Sequence, residues 1–156
     1  MTVAAAKEDL PVWKRHLIAS VTVAVVVLVA LPAWSHGAVR GSITLRATET
    51  LMRARPGAHA PTGRGHFTIS GAITDRGTVT DYRTQRGNIA VIRRVAIGRR
   101  GAISFVITIN MATGAEPWTI ASGTKAYRGL HGKGKQVLDA WYNTPATFVM
   151  KGTVSQ

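Results

Sequence analysis

From Val39 to Ser155 the sequence predicts an all-β fold, an eight-stranded antiparallel β-barrel, on three observations. Apolar and polar residues alternate at every second position, the period of a strand with one buried face. No stretch of ten or more residues carries the 3.6-residue repeat of an amphipathic helix. The alternating segments are eight in number and, with one exception, are joined by short connections, most bearing glycine. Short antiparallel strands without helices make a sandwich or a barrel. Closure is the better solution because it leaves no edge strand, and eight strands enclose just enough space for side chains or one small ligand.

The elements follow in order. Residues 1–35 read as an address: Lys14-Arg15 precede the uncharged run LIASVTVAVVVLVAL (Leu17 to Leu31), and Ala33-x-Ser35 supplies small residues for cleavage before His36. Retention as a membrane anchor over 17–34 is the alternative, since that stretch approaches the ~20 residues that span a bilayer. The long leader with Glu8 and Asp9 is untidy for a signal. In both cases the basic flank places residues 36–156, a single barrel domain, outside the cytoplasm. VRGSITLRA gives the first strand, with Val39, Ile43 and Leu45 on one face. Thr50 to Arg64, with two prolines, reads as a surface loop. HFTISGAIT follows, with Phe67, Ile69 and Ile73 inward, and Asp75-Arg76-Gly77 reads as a turn into TVTDYR. NIAVIRRVAI and AISFVITIN flank the tight connection GRRG (Gly98 to Gly101). PWTIASGT, GKQVLDAWY and ATFVMKGTVS complete the set. NIAVIRRVAI is apolar on both faces, which a subunit contact outside a filled barrel would explain as well as a thick core would.

The order GAITDRG, PWTIASGT, AYRGLHGKG, FVMKGTVSQ resembles the barrel shared by allene oxide cyclases and dirigent proteins. In those families a glycine-rich segment joins two late strands, and Gly123-Thr124, Tyr127, Gly129, Gly132 and Gly134 match its spacing. The resemblance spans most of 39–156, rests mainly on the last forty residues, and looks most like a secreted branch. It implies an eight-stranded barrel, often trimeric, whose apolar cavity shapes a small reactive organic molecule. No polar site residue of the cyclases matches position by position, so no catalytic residue is carried over.

Five residues are candidates for ligand binding: Arg93, Trp118, Tyr127, Asp139 and Trp141. Arg93 alternates with Ile89, Val91, Val95 and Ile97, which points its guanidinium at apolar neighbours. Inside a barrel it could hold a ligand carboxylate or pair with a buried acid. Arg94, however, shares a face with Ile92, so the opposite parity or a bulge would put Arg93 outside. Trp118, Tyr127 and Trp141 offer aromatic bodies with polar tips for a cavity or its mouth. Asp139 alternates with Val137 and Trp141. Asp81 reads as a strand-face charge near cations. The glycine-rich GLHGKGK lacks both the Ser/Thr and the helix that a phosphate loop needs, so its glycines serve a close passage between strands. The histidines after residue 35 (His36, His59, His66, His131) have no ligand spacing, so no metal is expected, and no cofactor.

The formal net charge is +13, with no cysteine to supply disulfides or thiolates. Three cations and two acids leave with residues 1–35, so the barrel keeps +12. Three functions remain open. The first is an exported barrel that binds or steers a small hydrophobic ligand in or at the mouth of the barrel. The second is a basic, non-catalytic protein that engages an anionic envelope, glycan or lipid. The third is an isomerase or cyclase like the resembling families. A nucleic-acid partner is not expected of an exported chain.

Overall fold

The computed structural model describes residues 38–52, 60–140 and 145–156, with backbone alone for 138–140. Eight strands follow in chain order: β1 (Arg40–Leu51), β2 (Gly63–Gly71), β3 (Asp75–Arg86), β4 (Ile89–Gly98), β5 (Ala102–Asn110), β6 (Pro117–Gly123), β7 (His131–Ala140) and β8 (Ala146–Ser155). Each pairs antiparallel with its sequence neighbour, and β1 pairs with β8 to close the barrel. A single 3₁₀ turn, Lys125–Tyr127, lies between β6 and β7. No helix among the described residues is long and apolar enough to cross a membrane. The leader, residues 1–37, lies outside the described residues.

The alternation read from the sequence sets which residues face inward. Ile43, Leu45, Phe67, Ile69, Ile103, Phe105 and Ile107 are all buried in one continuous interior. Three boundaries differ from the sequence reading. Asp75-Arg76-Gly77 is not the turn but the start of β3, paired with Ile69, Thr68 and Phe67. β1 and β2 reach further into the proline-bearing segment than its composition suggests, because Leu51 and Gly63 still pair. β7 begins at His131, so the second half of the glycine-rich stretch is strand.

That last difference has a packing cause. In β7, His131, Lys133 and Lys135 face out while Gly132 and Gly134 face in. A Cβ on Gly134 would lie 2.1 Å from the Lys151 carbonyl oxygen and 2.6 Å from the Trp118 ring. A Cβ on Gly152, paired with Gly134, would meet the same ring at 2.5 Å. The two glycines clear the wall for the largest side chain in the interior. Trp118 fills that space, stacks edge-on against Phe105 at 5.6 Å and donates from Nε1 to the Lys135 carbonyl at 3.2 Å.

Candidate functional site: two barrel ends and a buried charge cluster

The connections β2–β3, β4–β5 and β6–β7 gather at one end, which is plugged. Its hub is Asp75. Oδ1 accepts from the backbone N–H of Arg76 at 2.8 Å and of Arg99 at 3.1 Å. Oδ2 accepts from the Arg100 N–H at 3.2 Å and the Tyr127 hydroxyl at 2.7 Å. One carboxylate therefore ties all three connections together. Gly98 makes this approach possible, since a Cβ there would sit 2.1 Å from Asp75 Oδ2. Burial by itself raises the Asp75 pKa, but the Tyr127 hydroxyl and the three N–H groups outweigh it, and the carboxyl is held below 3.8. Burial, then the bond to Asp75, pushes the Tyr127 hydroxyl up. Ile73, Tyr127 and Leu130 are buried beneath, and the Arg100 guanidinium lies 5.9 Å from the Tyr127 ring centre.

The opposite end is open. A cavity of about 310 Å³ enters the barrel there, walled by Leu51, Ile92, Ile109 and Phe148, with Asp81, Glu116 and Gln136 as polar contacts and Thr62, Arg83 and Gln85 among its other lining residues. Asp81 belongs to a buried cluster. It stands directly opposite Arg94 across the β3–β4 pair, so both side chains project inward from adjacent strands. Arg94 Nε donates to Asp81 Oδ1 at 2.9 Å and Nη2 to Oδ2 at 2.7 Å, a bidentate pair. Nη1 donates to Gln136 Oε1 at 2.8 Å, and the guanidinium lies over the Phe148 ring at 4.7 Å. Gln136 in turn donates to Glu116 Oε2 at 2.9 Å.

A second acid shares the same cation. Glu49 Oε1 lies 2.8 Å from Arg94 Nη2, yet neither Glu49 oxygen has an aligned hydrogen-bond donor among the described residues. Glu49 is fully buried, as is Arg94. The inward position of Gly63 makes the room, because a Cβ there would lie 2.6 Å from Glu49 Oε2. Burial pushes the Glu49 carboxyl up to about 8; Arg94 opposes this, and the neighbouring Asp81 charge adds to it. Burial thus favours the neutral form of Glu49, behind an Asp81 that faces the cavity. For Arg94, burial works against the charge, but Asp81 first and Glu49 next outweigh it and raise its pKa.

The five sequence-predicted ligand residues do not converge. Arg93 is exposed on the outer wall, in a groove with Tyr82 and Val91, and Arg94 takes the interior position instead. The reason is an ionic partner: Asp81, directly opposite on β3, binds Arg94 inside, and the inward neighbours Ala90 and Ala96 leave room for it, while Ile89, Val91 and Ile97 are exposed. Trp118 is core, and Tyr127 belongs to the plugged end. Asp139 and Trp141 lie outside the described side chains, and the β7–β8 ladder shifts register between Leu138 and Ala140, so simple alternation does not carry across Asp139. Sequence reasoning missed Glu49, Asp81 and Arg94. The available signal was parity: Glu49 alternates with Ile43, Leu45 and Ala47, and Asp81 with Val79.

No family model and no curated protein matches the chain. Among solved structures the chain is similar to the pterocarpan synthase dirigent protein GePTS1, with a TM-score of 0.50 and 13% identity over 76% of this chain and 86% of that one. It also matches the pterocarpan synthase dirigent protein PsPTS1, at a TM-score of 0.42 and 12% identity over 75% and 95% of the two chains. At such identity the first likeness is one of fold alone, and it agrees with the strand order and closure described above: the domain is an eight-stranded closed antiparallel barrel, the fold it shares with that dirigent protein.

Proposed function

We propose that this chain is an exported barrel that binds and positions a small organic molecule at the open end. The observation that carries this is the cavity of about 310 Å³ with apolar walls and, among its polar contacts, Asp81, which Arg94 holds from behind. Apolar walls with a few convergent polar groups are the usual make-up of a ligand site. The fitting ligand has an apolar body and one hydroxyl or carbonyl group, which Asp81, Gln136 or Glu116 would meet. Titrating the full chain with an environment-sensitive apolar dye such as anilinonaphthalene sulfonate tests it. Saturable uptake that Ile109→Trp abolishes, by filling the cavity, supports the reading. No saturable uptake by the unaltered chain overturns it.

A second reading, proton-transfer chemistry of the isomerase or cyclase kind, is favoured by Glu49, whose neutral form burial favours, held behind Asp81. Glu49 ionises about pH 8, so turnover that relies on it falls as pH rises through that value. Turnover flat across that range, or fully retained by Glu49→Gln, removes this reading. Export rests on residues 1–35, and cleavage before His36 would be read directly by the mass of the mature chain. A retained segment 17–34 would instead leave the barrel membrane-anchored. The apolar outer residues of β4 (Ile89, Val91, Ile97) suit a subunit contact, and a homotrimer is the assembly proposed, to be measured by light scattering.

A further inference from the structure

The distribution of charge on the barrel is one-sided in a different sense from its two ends. Among the described side chains there are four carboxylates, and none is free on the outer wall. Glu49 and Asp81 are in the interior, Asp75 caps the plugged end and Glu116 is bonded to Gln136 at the cavity. Of the cations, Arg94 alone is buried. Among the described side chains the outer wall therefore carries cations and no free carboxylate.

The cations are most tightly placed on the wall formed by β6, β7, β8 and β1. Lys135 of β7 stands directly opposite Lys151 of β8, and Lys133 follows two residues along on the same outward face. Like charges directly opposite on paired strands are destabilising, and no ion pair among the described residues relieves them. Hydroxyls stand between them: Thr44 pairs with Lys151, and Ser42 and Lys133 both pair with Thr153, while Thr119 of β6 pairs with Lys133. A groove along this wall is lined by Arg40, Ser42, Thr119, His131, Lys133 and Thr153. The large apolar residues exposed on β4 lie on the opposite side of the closed ring of strands.

We propose that the β6–β7–β8–β1 wall is a docking surface for an acidic polysaccharide. Ammonium groups of Lys133, Lys135 and Lys151 would neutralise its carboxylate or sulfate groups, and the interleaved Ser and Thr hydroxyls would bond its sugar hydroxyls. The like-charge juxtaposition, a cost in the free protein, is relieved only when such a polymer is bound. Chemistry on this wall selects against other polyanions. Among the described residues it presents no exposed aromatic ring on which a nucleic-acid base could stack, and its exposed large apolar side chains, Val137 of β7 and Leu51 of β1, are outnumbered by its hydroxyls and ammonium groups. This inference does not depend on the cavity or its ligand.

The test measures binding of the full chain to immobilised polygalacturonate, with uncharged dextran as control, across a salt series. Binding to polygalacturonate alone, weakening steeply with salt, is expected. The triple variant K133Q/K135Q/K151Q should weaken it by roughly tenfold or more, whereas R64Q/R86Q/R93Q, which removes equal charge from other strands, should change it by less than about twofold. Equal weakening by both triples would show diffuse charge rather than a site and overturns the proposal. So does absence of binding, or stronger binding to phosphatidylglycerol vesicles or to a single-stranded oligonucleotide.

Discussion

The two ends of this barrel each bury a carboxylate, and the protein treats them in opposite ways. Asp75 at the plugged end receives four hydrogen bonds, three from backbone N–H groups of turns that must lie there in any case. Its charged form is favoured, and its pKa falls. Glu49 at the open end receives no aligned hydrogen bond and shares one guanidinium with Asp81, so its neutral form is favoured. Burial raises both carboxyls. At Glu49, the deeper of the two, it prevails, whereas at Asp75 four donors aimed at the oxygens outweigh it. The plugged end is built to hold a charge and tie loops together, the open end to hold a proton next to a cavity.

The sharpest way to break this contrast is Arg94→Met. It leaves Asp81 and Glu49 buried without a cation, and loss of one partner of a buried pair costs about 3–5 kcal/mol. Urea unfolding should show that loss; a smaller change than about 1 kcal/mol would mean that the acids simply take up protons without cost. The pH profile separates the two ends next. Between 4.5 and about 8 the folded chain holds a proton on Glu49 that the unfolded chain has released. Stability from this group is therefore complete below 4.5 and is lost as pH rises toward 8. Glu49→Gln should flatten that limb of the stability curve, and a limb unchanged in the variant would assign it elsewhere.

Asp75 gives the opposite limb. Its contribution is present above 3.8 and is lost as pH falls through its lowered folded value. Tyr127→Phe removes the 2.7 Å donor to Asp75, which should cost about 1–3 kcal/mol and move the acid limb to higher pH. An acid limb in the same place would show that the backbone donors alone set it. The smallest effect is expected of Arg93→Gln on the outer wall, within about 0.5 kcal/mol, measured beside Arg94→Met. Comparable losses from these two neighbours would contradict the inward–outward assignment of β4.

Much of the barrel was legible in the residues. Strand alternation depends on a period of two that every inward residue must obey, so Ile103, Phe105 and Ile107 could be placed without knowing their partners. The failures have equally local causes. At β4 both faces are apolar, so hydrophobicity could not set parity, and the ionic partner that draws Arg94 inward comes from β3. In the glycine-rich stretch, Gly134 of β7 answers to Trp118, which precedes it by a whole connection. Tyr127 was readable as an aromatic body with a polar tip, but its hydroxyl partner, Asp75, is 52 residues away.

The sequence by itself determined the all-β class, the strand count, the inward faces of most strands and the cationic balance, because these follow from local periodicity and composition. Only the tertiary structure decided which charges are buried. Glu49, Asp81 and Arg94 come from three strands, and Gly63 and Gln136 from two more, each unremarkable within its own segment. Closure of the ring sets Glu49, Asp81 and Gln136 each within 3 Å of Arg94 in the barrel interior. The raised pKa of Glu49 belongs to that enclosure, and the lowered one of Asp75 to the plugged end, rather than to either residue alone.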